Sequence, residues 1–204
     1  MNWVARTSIA LAVALLASAA PAQMQGPDGE TFVTKVREGD NNAALVLLES
    51  RPSVINAHDG RGDTALLVAL QGRDTNWTAH LLRAGANPNL AARSGDTPLI
   101  VATRSGFGEA AGWLLGVGAK VDGANKMGET ALIVAVHQRN VPLIRFLLAN
   151  GADPDRADAA AGYSARDYAK RDTRSPELLA AIKAGKPAAT AKPDSDKLDD
   201  FKLN

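Results

Sequence analysis

The feature that most constrains the fold of this chain is a nine-residue motif that occurs three times, each copy 33 residues after the previous one. The copies are GDTALLVAL, GDTPLIVAT and GETALIVAV, and they begin at Gly62, Gly95 and Gly128. A pair of leucines and then Gly-Ala follow each copy at a constant distance. Similarity at a period of about 20–50 residues is typical of chains in which one supersecondary unit stacks on the next. The repeat therefore predicts an elongated array of similar units.

Each repeated position has a local structural explanation. The threonine of the motif is expected to cap a first helix, because its hydroxyl can accept from a free backbone N–H. The leucine and alanine of the motif lie three residues apart and therefore share one face of that helix. The glycine after the leucine pair permits the left-handed conformation that ends a second helix. A loop rich in Asn, Pro, Ser and Gly then reverses the chain, as between Ala86 and Gly95.

This pattern resembles the ankyrin repeat over about residues 30–183, most specifically in the blocks GDTPLIVA and WLLGVGAKVD. The resemblance implies an all-α solenoid of about five helix–turn–helix units. Three regular central repeats would lie between two degenerate terminal repeats, TFVTKVREGDNNAALVLLES and AGYSARDYAKRDTRSPELLAAI. Where the family usually has a histidine, the chain has Leu67, Ile100 and Ile133. This departure predicts a stack that is more apolar than usual at these positions.

The N-terminal 22 residues have the pattern of an export signal. Arg6 is the only charged residue there, an apolar run extends from Ile9 to Ala20, and Ala20-Pro21-Ala22 provides a cleavage site before Gln23. The run is shorter than the roughly 20 residues that a membrane-spanning helix needs. We therefore expect a protein exported to a bacterial periplasm. The alternatives are a buried N-terminal helix and an intracellular protein whose first residues only resemble a signal.

The domain organisation follows from these boundaries. It comprises a signal peptide at 1–22, a short linker at 23–29, the ankyrin-repeat domain at 30–183 and a disordered C-terminal tail at 184–204. The tail ends in a cluster of four aspartates, Asp194, Asp196, Asp199 and Asp200. A sharper hypothesis for this cluster is that it folds back across basic side chains of the repeat domain and is displaced by a partner.

Composition argues against several classes of function. Removal of residues 1–22 leaves 22 basic and 22 acidic residues, a balance that gives no general attraction to nucleic acid or to an anionic membrane. The chain has no cysteine, and His58, His80 and His137 are not at metal-ligand spacing. No serine lies in a nucleophile-elbow motif. We predict a monomer without catalytic activity, cofactor or metal.

The resemblance implies a scaffold that binds another protein through its concave face, formed by hairpin tips and first helices. At the tips a basic residue precedes each repeat glycine and an acid follows it: Arg61 and Asp63, Arg93 and Asp96, Lys126 and Glu129. A second, mostly basic column ends the first helices: Arg37, Gln71, Arg104, His137 and Arg171. The tips could equally be a self-neutralising solvated fringe, and the helix-end cations could simply complement helix dipoles.

Two other functions remain open at this point, a periplasmic inhibitor or immunity-type protein that blocks one enzyme, and a binder of small ligands. The latter needs a deep apolar pocket, which stacked helices seldom leave. For packing, the repeat register predicts that Leu115, Trp77 and Trp113 lie in the core. It places Asp63 on an exposed tip, where its removal would cost within about 0.5 kcal/mol.

Overall fold

The computed structural model describes residues 27–185 of the chain. This range forms five helix pairs, and its only other helix is a 3-10 segment, Pro52–Asn56, in the long first loop. The α-helices are α1 (Pro27–Glu38), α2 (Asn41–Ser50), α3 (Ala65–Gln71), α4 (Thr75–Arg83), α5 (Pro98–Arg104), α6 (Gly108–Gly116), α7 (Ala131–His137), α8 (Val141–Ala149), α9 (Ala165–Arg171) and α10 (Pro176–Ala184). The predicted all-α solenoid is confirmed.

The first helices of the three central repeats begin at the predicted threonine caps. The hydroxyl of Thr64 accepts from the backbone N–H of Leu67 at 3.2 Å, and Thr97 and Thr130 accept in the same way from residues three positions later. In the last repeat Ser164 takes this position and forms a capping box with Asp167. Each cap satisfies a backbone donor that the helix itself leaves unpaired.

Glycines set the turns and the spacing between neighbouring units. Gly118 has a φ of +94° at the end of α6, which is the left-handed stop predicted after the leucine pair. Gly95, with a φ of +87°, lies in the hairpin before α5, where a Cβ atom would be 2.7 Å from the backbone nitrogen of Lys126. The backbone N–H of Lys126 also donates to the carbonyl of Ser94 at 3.3 Å. A side chain at this glycine would therefore push neighbouring hairpins apart.

The helices form two rows that enclose the core. The first helices α1, α3, α5, α7 and α9 pack on one another in sequence, and each also packs on the second helix of its own unit. Leu67, Ile100 and Ile133 are fully buried, so the positions that depart from the family pattern belong to the apolar core. Trp77 and Trp113 are buried as predicted, and the indole N–H of Trp77 donates to Asn41 at 2.6 Å.

Several expectations need correction. Leu115 is only partly buried, because its partner in the leucine pair, Leu114, takes the core position with no exposed surface. Asp63 is not an exposed tip residue, since its carboxylate turns inward and accepts from Arg37 at 3.3 Å. Helix α1 begins at Pro27, so residues 27–29 of the predicted linker are helical, and α10 extends to Ala184. The predicted signal peptide and cleavage site, and residues 186–204 of the predicted tail, lie outside the described residues.

Candidate binding surface

Eight of the eleven side chains predicted to contact a partner, all except Arg61, Arg93 and Lys126, gather on one surface, which we call the inner face. It is formed by the C-terminal ends of the first helices and by the hairpins that precede them. Between α3 and α5 this face holds an open central groove of about 270 Å³. Four predicted residues line it, Asp63, Gln71, Asp96 and Arg104, together with Ala92, Ser94, Val101 and Ser105. The groove therefore joins members of both predicted columns.

Asp96 is the centre of a charge network in this groove. Both terminal nitrogens of Arg104 donate to its carboxylate, one of them at 3.3 Å, and Asn125 donates at 2.8 Å. Burial alone would raise the pKa of Asp96, but the hydrogen bonds from Arg104 and Asn125 outweigh it and lower the pKa. Glu129 lies 3.6 Å from Arg104 and 4.0 Å from the ring of His137. The helix-end cation Arg104 is thus held between two carboxylates.

The same arrangement occurs at the N-terminal end of the inner face. Arg37, at the end of α1, donates to Asp59 and to Asp63 in the following hairpin. Asp59 also accepts from the backbone N–H groups of Arg61 and Asp63, each at 2.9 Å. Burial opposes ionisation of Asp59, yet these hydrogen bonds and Arg37 lower its pKa. Within residues 27–185 no tip acid forms a salt bridge with its own tip cation, because the acids turn toward the helix ends.

The basic tip residues Arg61, Arg93 and Lys126 stay exposed. Within residues 27–185 none of the three forms a salt bridge, and the guanidinium of Arg93 instead donates to the carbonyl of Gly60 at 2.9 Å. The structure therefore separates the acidic from the basic residues of the predicted tip column. Acids belong to the inner face, and cations form an exposed row along the hairpin tips.

The C-terminal end of the inner face has a second groove of about 440 Å³ between α7 and α9. It is lined by Val136, His137, Arg139, Tyr168, Arg171, Asp172, Thr173 and Arg174, and we call it the C-terminal groove. Among the predicted residues it holds His137, whose ring meets that of Tyr168 edge-on at 4.5 Å, and Arg171. The hydroxyl of Tyr168 donates to Asp158 at 2.6 Å, and this bond raises the pKa of Tyr168 to about 12.

A family model described as "Ankyrin repeats (3 copies)" matches residues 32–125 and, in an overlapping match, residues 73–158. Together the two matches cover more than half of the chain. The chain belongs to the ankyrin-repeat family. No curated protein is significantly similar to it. Ankyrin repeats generally mediate protein–protein interaction and are typically not enzymatic.

Sequence reasoning did not assign Tyr168, Asp172 or Arg174 to the C-terminal groove of this ankyrin-repeat protein, whereas Arg139 lies two residues beyond the predicted helix-end column. It also missed Tyr163, whose ring lies 4.3 Å from the guanidinium carbon of Arg171. A signal for Tyr163 was present in the repeat register. Tyr163 follows Gly162 as Asp63, Asp96 and Glu129 follow their repeat glycines, so the last ankyrin repeat lacks the acid found in the three central repeats.

Within residues 27–185 no three His, Asp or Glu side chains are grouped so that they could hold a metal ion. The same part of the chain contains no helix long and apolar enough to cross a membrane.

Proposed function

We propose that this ankyrin-repeat protein is exported and that it binds a segment of another protein along its inner face. The central groove is the observation that carries this proposal. It brings Gln71, Arg104 and the carboxylates of Asp63 and Asp96 to one opening, although the four residues come from two repeats. The proposal of a protein partner agrees with the general role of ankyrin repeats in protein–protein interaction.

The size and lining of the central groove favour side chains of a protein over a small ligand. The central groove is an open depression of about 270 Å³, whereas small-molecule sites are usually clefts that bury most of the ligand. Val101 offers an apolar contact, while Asp96 and Arg104 neutralise each other within the groove. Gln71 is exposed at the rim of the groove, and its side-chain amide can both donate and accept hydrogen bonds. Such a lining suits a mixed polar and apolar segment with little net charge.

Partner capture with matched variants tests this proposal. Gln71→Trp fills the central groove at its exposed rim, and Glu109→Trp places the same bulk on the exposed surface of α6 in the second-helix row. Relative to the unaltered chain, the amount of partner protein captured should fall at least about tenfold with Gln71→Trp and should be unchanged with Glu109→Trp. Equal capture by both variants would contradict binding at the central groove.

Export is the part of the proposal that rests on residues 1–22. The motif Ala20-Pro21-Ala22 places the mature N-terminus at Gln23. N-terminal sequencing of protein recovered from a periplasmic fraction should begin at Gln23. Recovery of soluble cytoplasmic protein that retains Met1 would exclude export.

A further inference from the structure

The C-terminal groove carries an excess of positive charge that the rest of the inner face does not. Arg139, Arg171 and Arg174 line it, and Asp172 is the one acid in its lining. Asp172 accepts from Arg139 at 2.7 Å. Arg171 and Arg174 are exposed, and no carboxylate among residues 27–185 forms a salt bridge with either. Two guanidinium groups are therefore available to carboxylates from outside the described part of the chain.

Arg139, the third arginine of the groove, lies in a turn with a left-handed backbone conformation. Arg139 has a φ of +54°, in the left-handed region that favours glycine. The equivalent turn of the preceding repeat has Gly106, with a φ of +70°. Arg73 has the same φ of +54° two repeats earlier, so the conformation belongs to the repeat turn. The feature specific to this groove is the side chain of Arg139, which bridges to Asp172 across it.

A carboxylate-rich segment of the same chain lies within reach of the groove. Residues 194–200 contain four aspartates and one lysine, and only eight residues separate this segment from Gly185. Nine residues span at most about 30 Å. Helix α10, which has nine residues, is about 14 Å long, and Arg174 lies two residues before it begins. The contour length is therefore sufficient for Asp194 to reach Arg174.

We propose that the C-terminal groove is a carboxylate-binding surface and that its occupant is the chain's own acidic segment, residues 194–200. Guanidinium groups bind carboxylates through paired, charge-assisted hydrogen bonds, and clustered arginines are a recurrent receptor for acidic peptides. Covalent attachment supplies an effective concentration on the order of millimolar, so weak contacts suffice. The surface is open, and the attraction therefore decreases as salt screens it. This inference does not depend on the proposed partner at the central groove.

The absence of cysteine from the sequence permits a direct test in the full chain. A nitroxide spin label is attached at Ser195→Cys, and backbone amide signals are recorded by NMR with the label oxidised and reduced. At about 0.05 M salt we expect the oxidised label to reduce the signals of His137, Thr173 and Arg174 to less than about half, and at about 0.5 M salt we expect recovery. The effect should not change on dilution, because the contact is within one chain.

Matched charge variants decide whether the arginines are responsible. Arg171→Gln combined with Arg174→Gln should abolish the signal loss. Arg145→Gln combined with Arg156→Gln removes two other exposed arginines and should leave it intact. Thermal unfolding of both double variants checks that the fold is retained. The proposal is overturned if the signals keep full intensity, or if the signal loss persists after Arg171 and Arg174 are changed. It is also overturned if the signal loss disappears on dilution, because the groove would then be occupied by the acidic segment of a second copy.

Discussion

The two grooves of the inner face present the same column of helix-end side chains in different electrostatic states. In the central groove Arg104 lies between Asp96 and Glu129, and its charge is balanced within the fold. In the C-terminal groove Arg171 contacts the ring of Tyr163, and no carboxylate within residues 27–185 neutralises it. A repeat architecture can therefore hold one backbone geometry constant while it changes the charge that each groove offers.

One position in each unit accounts for most of this difference. The residue after the repeat glycine is an acid in each of the three central units and a tyrosine in the last. An acid there reaches the cation at the end of a first helix, whereas Tyr163 can offer that cation only the face of its ring. The predictions below test this contrast, from the largest expected effect on stability to the smallest.

The largest effect concerns the core on which both grooves rest. Leu114 has no exposed surface and Leu115 is only partly buried. Leu114→Ala should lower the free energy of unfolding by about 2–5 kcal/mol, because it leaves a cavity between repeats. Leu115→Ala should cost clearly less. Urea denaturation measures both, and equal losses would contradict the packing that places only the first leucine of the pair in the core.

The central network should make stability sensitive to acid. Asp96→Asn removes a carboxylate whose side chain is only 11% exposed and should cost about 1–3 kcal/mol near neutral pH. The folded state lowers the pKa of Asp96 from 3.8, so this contribution is complete above 3.8 and is lost as the pH falls through the lowered pKa. The difference between Asp96→Asn and the unaltered chain should therefore shrink in acid.

A control for this prediction is Glu109→Gln, since Glu109 is exposed on α6 and forms no salt bridge with a described residue. Its unfolding free energy near neutral pH should be within about 0.5 kcal/mol of that of the unaltered chain. If the loss of unfolding free energy caused by Asp96→Asn is the same in strong acid as at neutral pH, packing rather than charge stabilises the central network.

The C-terminal groove should instead lose stability in alkali. The hydroxyl of Tyr168 donates a hydrogen bond to the carboxylate of Asp158, and this bond raises the pKa of Tyr168 from 10.0 to about 12. This contribution is complete below pH 10.0 and is lost as the pH rises through about 12. Tyr168→Phe should cost about 1–2 kcal/mol at neutral pH. In an ultraviolet titration Tyr168→Phe should remove the tyrosine ionisation step near pH 12, and the control Tyr163→Phe should retain it. Ionisation of Tyr168 near pH 10.0 would exclude the hydrogen bond to Asp158.

The smallest effect on stability should come from making the two grooves alike. Tyr163→Asp gives the last repeat the acid that the three central repeats have, and it should pair with Arg171. The lost ring contact and the gained ion pair should offset each other to within about 1 kcal/mol. The signal loss caused by the label at Ser195→Cys should weaken, because the groove becomes less positive. An undiminished loss would show that the residue after the repeat glycine does not set the charge of the groove, and Tyr163→Phe is the matched control.

The sequence by itself determined the units and their local structure. The threonine caps, the glycine stops and the buried Leu67, Ile100 and Ile133 all depend on residues that are neighbours along the chain or on one helix face. Such interactions act over at most one or two helical turns. A motif repeated every 33 residues therefore predicted both the helices and their order.

Only the tertiary structure decided which side chains meet across units. Arg37 finds its carboxylates 22 and 26 residues away, and Arg139 bridges to Asp172 over 33 residues. These pairings, like the choice of Leu114 over Leu115 for the core, depend on how each helix is rotated against its neighbours. That rotation is set by the packing of the whole stack, since each unit must bury its apolar face against the next. The repeat register located the two columns, and packing determined the charge that each groove presents.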